Sequence, residues 1–346
     1  MKWLAFLLAG QAFAASLADL QATAGKLRAQ RSEPSGWRGE SPLLTEFKHQ
    51  LRDWVESQLN GEIANPQSVS RELNKDLAGA GLTCPGIECD DQSALGYLGD
   101  IRLDRLPDSA GWLVLITSVG IACGNDESAY LYERVEDRWL RRFESEQNQY
   151  GEGNYKPQTG IRIRSALDSA GKPLVLTSGI NPACLSSWQV GYFRLFRSGD
   201  AQPLMDRQHT VFVGEDDQEI QLRPDDVFIR SPGFVLHFKI EREGLRRIEP
   251  IATSPGLFVD EWRASPWLEV AEWSDSSLAP WHARTADPHI FFGFWDDIDA
   301  CPKQPGHWQI SYSLERQTFY FLVEEKGPSS YRMLEVSTAS HAGCSP

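Results

Sequence analysis

Residues 101–123 read IRLDRLPDSAGWLVLITSVGIAC, and residues 161–184 read IRIRSALDSAGKPLVLTSGINPAC. At an offset of 60, eight of the first eighteen positions are identical, and one inserted residue then aligns Ala122-Cys123 with Ala183-Cys184. A repeat of fixed length is typical of proteins whose structural units stack to bury their apolar faces. The repeat therefore predicts the architecture of this chain more directly than its activity.

Each copy contains short β-branched or aromatic segments separated by turn residues, which is the pattern of antiparallel strands. We predict four strands in the first copy (99–105, 112–118, 129–135, 139–144) and four in the second (160–165, 174–178, 189–197, 203–207). Weaker matches at residues 231–238 and 308–312 extend the repeat at offsets of 62 and 120. The predicted fold is therefore mainly β, with about four propeller-like, four-stranded units of roughly 60 residues, and a two-sheet β-sandwich is the alternative.

Helical patterns precede and interrupt the β region. Apolar residues recur at three- and four-residue spacing along one face of residues 42–59, and shorter helical patterns lie at 16–31 and 66–77. A second helical stretch, at 253–285, interrupts the third unit, and Ser265-Pro266 there resembles a helix start. The predicted organisation is a helical region at 15–82 and a β-repeat domain at 83–346, with units at 93–150, 151–212, 213–285 and 286–346.

The first fourteen residues have the pattern of a signal peptide. Lys2 provides the positive charge, residues 3–8 form a short apolar stretch, and Ala12-Phe13-Ala14 forms a small-x-small cleavage site. The apolar stretch is too short to span a bilayer, and no other segment predicts a membrane span. We therefore expect cleavage after Ala14 and a secreted or periplasmic, soluble protein.

Six cysteines in an exported chain predict disulfides. Fifteen pairings are possible, and position favours Cys84–Cys89 around a tight turn, Cys123–Cys184 between equivalent places in two repeats, and Cys301–Cys344 at the C-terminal tail. Zinc is the rival interpretation, but the close pairs of ligands that a zinc site uses are missing from the sequence. We predict no metal and no cofactor.

The net charge argues against nucleic acid as a partner. The chain has 34 basic and 48 acidic residues, and removing Lys2 with the signal peptide leaves 33 − 48 = −15. Such a charge repels phosphate backbones and anionic membrane surfaces. The remaining candidates for a ligand are a protein or a carbohydrate.

Tryptophan is the most unusual feature of the later sequence. Six of the twelve fall within 47 residues, among several carboxylates: Trp262, Trp267, Trp273, Trp281, Trp295 and Trp308. Exposed Trp rings stack on the apolar faces of sugars, whereas buried Trp rings simply anchor a core. We take Trp262, Trp273, Trp295 and Trp308 as candidate ligand-binding residues, with core packing as the competing interpretation.

The sequence contains no recognisable catalytic motif. It has no G-x-S-x-G elbow, and its glycines lack the spacing of a nucleotide-binding loop. Asp296, Asp297 and Asp299 lack the spacing of a calcium loop, and Asp287 with His289 reads better as a turn before a strand at 290–295. We therefore name no catalytic residue.

The predicted function is a non-catalytic binding or interaction module. The alternative is an extracellular hydrolase that acts on glycans through a Trp-rich cleft, and a purely structural envelope protein is a third possibility. Two carboxylates facing each other across a cleft at roughly 5–9 Å would favour the hydrolase.

Overall fold

The computed structural model describes residues 15–30, 42–59, 63–84, 95–107, 109–121, 124–147, 158–181, 188–212, 219–231, 234–242, 244–252, 254–287, 293–314, 316–328 and 330–344. The predicted signal peptide lies outside these residues. The chain divides into an N-terminal unit, Met1–Thr159, and a C-terminal unit, Gly160–Pro346. The predicted boundary at residue 82 stays a prediction.

The described residues contain sixteen strands in four four-stranded antiparallel sheets, each with its strands joined in chain order. The first sheet comprises β1 (Arg102–Leu106), β2 (Ser109–Ile121), β3 (Gly124–Val135) and β4 (Arg138–Ser145), and the second comprises β5 (Thr159–Leu167), β6 (Pro173–Ile180), β7 (Trp188–Arg197) and β8 (Met205–Phe212). The third comprises β9 (Glu219–Arg223), β10 (Asp226–Ser231), β11 (Phe234–Glu241) and β12 (Gly244–Ala252), and the fourth β13 (Asp297–Ala300), β14 (His307–Leu314), β15 (Gln317–Gly327) and β16 (Ser330–Ser337). The predicted mainly β fold of four-stranded antiparallel units is confirmed. Both arrangements predicted from the sequence, propeller and sandwich, are built from such sheets.

Three helices form the predicted helical N-terminal region: α1 (Leu17–Gln30), α2 (Pro42–Gln58) and α3 (Pro66–Gly79). They share one apolar core with the first sheet, in which Phe47 and Leu51 of α2 join Leu113 and Tyr130. Helix α3 also covers the edge of that sheet. The Asn74 side chain donates a hydrogen bond to the carbonyl of Ile101 and accepts one from its N–H. An edge strand covered in this way cannot pair with another chain. None of the described helices is long and apolar enough to cross a membrane.

The strong repeat corresponds strand for strand to the first two sheets. Its turn, at residues 168–171 in the second copy, is stabilised by side-chain hydrogen bonds and by a glycine. The Asp168 carboxylate accepts hydrogen bonds from the backbone N–H groups of Ala170 and Lys172, at 2.9 and 2.7 Å. Gly171 then adopts a φ of 75°, a left-handed conformation that favours glycine. Aspartate followed by glycine therefore closes the β5–β6 hairpin.

The two weaker matches are out of phase by one strand. At the offset of 62, residues 234–238 match residues 172–176, which run into β6, the second strand of its sheet, but 234–238 lie in a third strand, β11. Trp188 begins the third strand of its sheet, whereas the matched Trp308 lies in the second strand, β14. Short apolar segments after a glycine or beside a Trp are common to any strand of such sheets, so these matches do not specify which strand is which.

Two large apolar cores lie among the described residues of the C-terminal unit. The second and third sheets meet through Phe193, Leu195, Leu236 and Phe238 among others. The predicted helical insertion comprises α4 (Pro255–Ala264), α5 (Trp267–Val270), two short 3-10 turns and α6 (Ala279–Thr285), and it packs against the fourth sheet. The helix start predicted at Ser265-Pro266 has no side-chain cap in the structure, because no side chain caps α5. The Ser254 side chain instead caps α4 by accepting a hydrogen bond from the N–H of Leu257.

Cys301 and Cys344 form a disulfide, as predicted from their positions. Both cysteines are buried beside Leu322, so the bond fixes the C-terminal end of the chain to the fourth sheet. Cys84 is also disulfide-bonded. Cys89, Cys123 and Cys184 lie outside the described residues, and the pairings proposed for them stay predictions.

Candidate functional site

A cavity of about 360 Å³ lies between strand β8 and the helical insertion. Its apolar wall consists of Leu204, Met205, Phe238 and Leu245, and its polar wall includes Asp206, Arg207, Arg263, Ser265, Glu269 and His282. Pockets for small molecules measure about 300–1,000 Å³ and combine an apolar lining with a few polar groups. The cavity therefore has the size and composition of a site for a small ligand.

Arg207 and Glu269 form an ion pair in the polar wall. Arg207 on β8 donates one hydrogen bond to the Glu269 carboxylate and another, of 2.9 Å, to the carbonyl of Ala264. Burial raises the pKa of Glu269, and the guanidinium of Arg207 offsets part of this increase. The pair holds the ends of α4 and α5 against β8 and places both charged groups at the cavity surface.

His282 of helix α6 lines the cavity in a fixed orientation. Its Nε2 lies 2.9 Å from the carbonyl oxygen of Trp262 and 3.0 Å from that of Ser265. Carbonyl oxygens only accept hydrogen bonds, so Nε2 carries a proton. Burial lowers the pKa of His282, which makes the neutral ring the main form near neutral pH, with an unprotonated Nδ1.

A buried charged cluster adjoins the cavity through Ser265. Arg247 Nη1 of β12 lies 2.6 Å from the Glu261 carboxylate of α4 and 3.4 Å from Ser265 Oγ. On the other side, His209 Nδ1 of β8 lies 3.0 Å from Glu261. Burial alone would raise the pKa of Glu261, but Arg247 and His209 outweigh it and hold the pKa well below its usual range. The cluster therefore joins two strands to the insertion through an ionised carboxylate.

The surroundings of Glu261 and Glu269 move their pKa values in opposite directions, a pattern that also occurs in catalytic acid–base pairs. Glu261 is only 4% exposed, however, and it does not line the cavity. This pair of carboxylates therefore does not face a common ligand.

Asp260, next to this cluster, is a buried carboxyl group with an unusual titration. It accepts hydrogen bonds from the hydroxyl of Tyr312 and, at 2.7 Å, from the backbone N–H of Gly293. Burial raises its pKa to about 7, because these donors and Arg263 only partly offset the loss of solvation. Asp260 consequently changes charge near neutral pH.

We expect Asp260 to contribute a stability that falls as pH rises from about 4 to 7. Its pKa is higher in the folded state than the ordinary value of 3.8 for an aspartate, so in this range the folded state binds one more proton than the unfolded state. The corresponding slope is up to about 1.4 kcal/mol per pH unit. The substitution Asp260→Asn should reduce this slope, measured as the free energy of urea unfolding at several pH values. The exposed Asp299→Asn is the control, and an unchanged slope in Asp260→Asn would contradict the assignment.

The structure places Trp262 in the core, against its candidacy as a ligand-binding residue. Its side chain has no exposed surface, and its Nε1 donates a 2.7 Å hydrogen bond to Ser274 Oγ. The ring also meets His282 edge to face, with 4.7 Å between centroids. A ring enclosed in this way has no face on which a sugar can stack.

Trp273, Trp295 and Trp308 are partly buried against the same core, and none of them lines the cavity. Trp295 lies so close to Gly256 that a Cβ added there would be 2.9 Å from the ring. The Arg247 guanidinium lies 5.0 Å from the Trp273 ring centroid. Ligand binding by these three residues stays a prediction.

The remaining candidates from the sequence do not form a site. Asp296, Asp297 and Asp299 are all exposed, and the described residues contain no group of three side chains placed to hold a metal ion. Asp287 donates its backbone N–H to the Arg263 carbonyl. His289 and the first half of the predicted strand, 290–292, lie outside the described residues, and residues 293–295 are not in a strand.

Sequence reasoning missed the three arginines of this region: Arg207, Arg247 and Arg263. The available signal was weak: Arg207 and His209 alternate along β8 and so share one face of that strand. The predicted strand ended at residue 207, which left His209 outside it. The ion-pair partners of Arg207 and His209 lie on the helical insertion, more than fifty residues later in the sequence. The spacing of residues does not reveal a pairing over that distance.

The fold and the cavity together define a disulfide-bonded protein of repeated antiparallel sheets with a ligand-sized site at a helical insertion. No protein-family model matches this sequence, and no curated protein matches it either. Among solved structures, the chain is similar to the polysaccharide lyase Uly1, with 11% identity over 73% of this chain and a TM-score of 0.17. The match spans 59% of that lyase, about three fifths of its length. A similarity of this size supports no conclusion about fold or function.

Proposed function

We propose that this chain is an exported, non-catalytic binding protein whose cavity between β8 and the insertion binds a saccharide unit. The observation that supports this most is the composition of the cavity. Arg207 and Arg263 balance Asp206 and Glu269, so the lining has no net formal charge. A balanced site with an apolar wall suits a hydroxyl-rich ring better than an isolated ion.

The geometry of the polar wall supports a ligand with several hydroxyl groups. The carboxylate of Glu269 accepts hydrogen bonds, the guanidinium of Arg207 donates them, and Nδ1 of neutral His282 accepts them. Leu204 and Leu245 of the apolar wall are partly exposed, and they offer an apolar surface to the C–H face of a sugar. Arg207 and His282 already make fixed contacts, so little side-chain entropy is lost on binding.

The second candidate is a hydrolase that acts on glycans. One observation favours it: Glu269 lines the cavity and burial raises its pKa, as a general acid requires. The ion pair with Arg207 acts in the opposite direction, because it stabilises the ionised form. If the wild type releases reducing ends from oligosaccharides and Glu269→Gln does not, the hydrolase is favoured over the binding protein.

The substitution Glu269→Gln tests the binding site directly. It keeps the size of the side chain but removes the negative charge of the carboxylate, whose oxygens accept hydrogen bonds from Arg207 and, in the proposal, from a ligand. We expect saccharide affinity to fall about tenfold, which corresponds to one weakened charge-assisted hydrogen bond of roughly 1.4 kcal/mol. Titration calorimetry would measure it, after a thermal-shift screen of neutral monosaccharides and disaccharides has identified a binder.

The matched control is Glu272→Gln, which makes the same change three residues later at an exposed position outside the cavity. It should bind as the wild type does. Equal losses in the two variants, or a full panel of sugars that leaves the wild-type melting temperature unchanged, would argue against the proposal.

A further inference from the structure

A second concavity, of about 750 Å³, adjoins the cavity at Arg263 and Ala286. We call it the arginine groove, because Arg263, Arg284 and Arg316 line it and Asp287 is the only carboxylate in its lining. The groove thus has a formal charge of 3 − 1 = +2, in a chain whose net charge is −14. A concave surface of one sign concentrates the electrostatic potential and attracts ions of the other sign.

Arg284 is held in place by neutral partners. Its guanidinium lies 4.8 Å from the ring centroid of Trp281 and 5.4 Å from that of Phe319, and it donates a 3.4 Å hydrogen bond to the side-chain oxygen of Gln317. Stacking on aromatic rings orients a guanidinium without cancelling its charge. Arg284 is therefore positioned for an anion before any ligand arrives.

The other two arginines complete the charge of the groove. Arg263 is 3% exposed, donates from Nε to the carbonyl of Thr285 at 2.9 Å and lies over the Tyr312 ring, at 4.4 Å from its centroid. Arg316 is exposed at the other side of the groove. No carboxylate of the described residues forms an ion pair with Arg284 or Arg316.

We propose that the arginine groove binds the carboxylate or sulfate group of an acidic saccharide whose ring occupies the adjacent cavity. A guanidinium presents parallel N–H donors that match the oxygens of carboxylates and sulfates. Arg263 and Ala286 belong to both linings, so one acidic sugar can place its ring in the cavity and its charged group in the groove. The assignment of the sugar ring rests on the proposed function, whereas the oxyanion site stands on the groove alone.

The experiment compares two double variants by titration calorimetry. Arg284→Gln with Arg316→Gln removes two groove charges, and Arg162→Gln with Arg164→Gln removes two exposed arginine charges of β5 that lie outside the groove. Both double variants change the net charge by the same amount. The ligands are inorganic sulfate, glucose, glucuronate and glucose 6-sulfate, so that the carboxylate and the sulfate are tested separately.

We expect the acidic sugars and inorganic sulfate to bind the wild type and the β5 variant equally, and the groove variant roughly a hundredfold more weakly, as the loss of two charge-assisted contacts implies. Sulfate binding that depends on the groove, without any sugar binding, would support the oxyanion site while the cavity proposal alone fails. Equal losses in the two double variants, or no binding of any anion to the wild type, would overturn the inference.

Discussion

The substitution Glu261→Gln is expected to lower the free energy of unfolding by about 3–5 kcal/mol, the cost of breaking a buried ion pair by removing one partner. Glu261 and Arg247 are 2.6 Å apart, and their side chains are 5% and 1% exposed. Without the carboxylate, the Arg247 charge stays buried among neutral acceptors: the carbonyl of Val235, the hydroxyl of Ser265 and the amide oxygen that the substitution introduces. Urea unfolding of the two proteins at neutral pH measures the difference.

The chain offers a matched control in the neighbouring pair of Arg246 and Glu241. The same distance of 2.6 Å joins these two side chains, but they are 54% and 50% exposed. Glu241→Gln should therefore cost less than about 1 kcal/mol. Similar losses in Glu261→Gln and Glu241→Gln would mean that burial does not set the energetics of the cluster.

A second variant separates the unpaired charge from a general failure of packing. When Arg247→Met accompanies Glu261→Gln, no charge is left buried without a partner, so the double variant should be more stable than Glu261→Gln alone. Equal or lower stability of the double variant would assign the loss to packing.

The second large effect is expected in the N-terminal unit, where Lys48→Met should lower the free energy of unfolding by about 3–5 kcal/mol. Lys48 Nζ lies 3.0 Å from the Asp126 carboxylate, 3.9 Å from that of Glu146 and 2.8 Å from the carbonyl of Gln147. All three charged side chains are almost completely buried. Removing the ammonium group leaves two almost completely buried carboxylates without the cation that they share.

The control for this prediction is Lys26→Met, the same change at an exposed position of α1, which should alter stability by no more than about 0.5 kcal/mol. Similar losses in Lys48→Met and Lys26→Met would show that the buried ion pairs of Lys48 do not set its contribution to stability.

The position of Lys48 was visible in the sequence, but its role was not. Leu44, Lys48 and Leu51 occupy one face of α2 at helical spacing, so a lysine stands inside the apolar stripe. A long side chain there usually extends along the surface to reach water. Only the fold brings Asp126 and Glu146 to its ammonium group, and they come from β3 and the residue after β4.

The candidate site shows the same division. The sequence indicated an unusual insertion, rich in Trp and carboxylates, and the cavity lies against it. It did not indicate that Trp262 is a core residue while Glu261 and Glu269 contact arginines and a histidine on strands. Trp and carboxylates occur both in sugar sites and in cores, so residue type does not separate the two.

By itself, the sequence determined the class of fold, because the period-two pattern of strands, the helical stripe of α2 and the Asp-Ser-Ala-Gly turn are local properties read from neighbouring residues. The Cys301–Cys344 bond also followed from position along the chain. Only the tertiary structure decided which charges are buried together and where the cavity and the arginine groove lie. Those features depend on contacts between residues far apart in sequence. The desolvation that makes an unpaired buried charge costly arises only when the sheets and helices have packed.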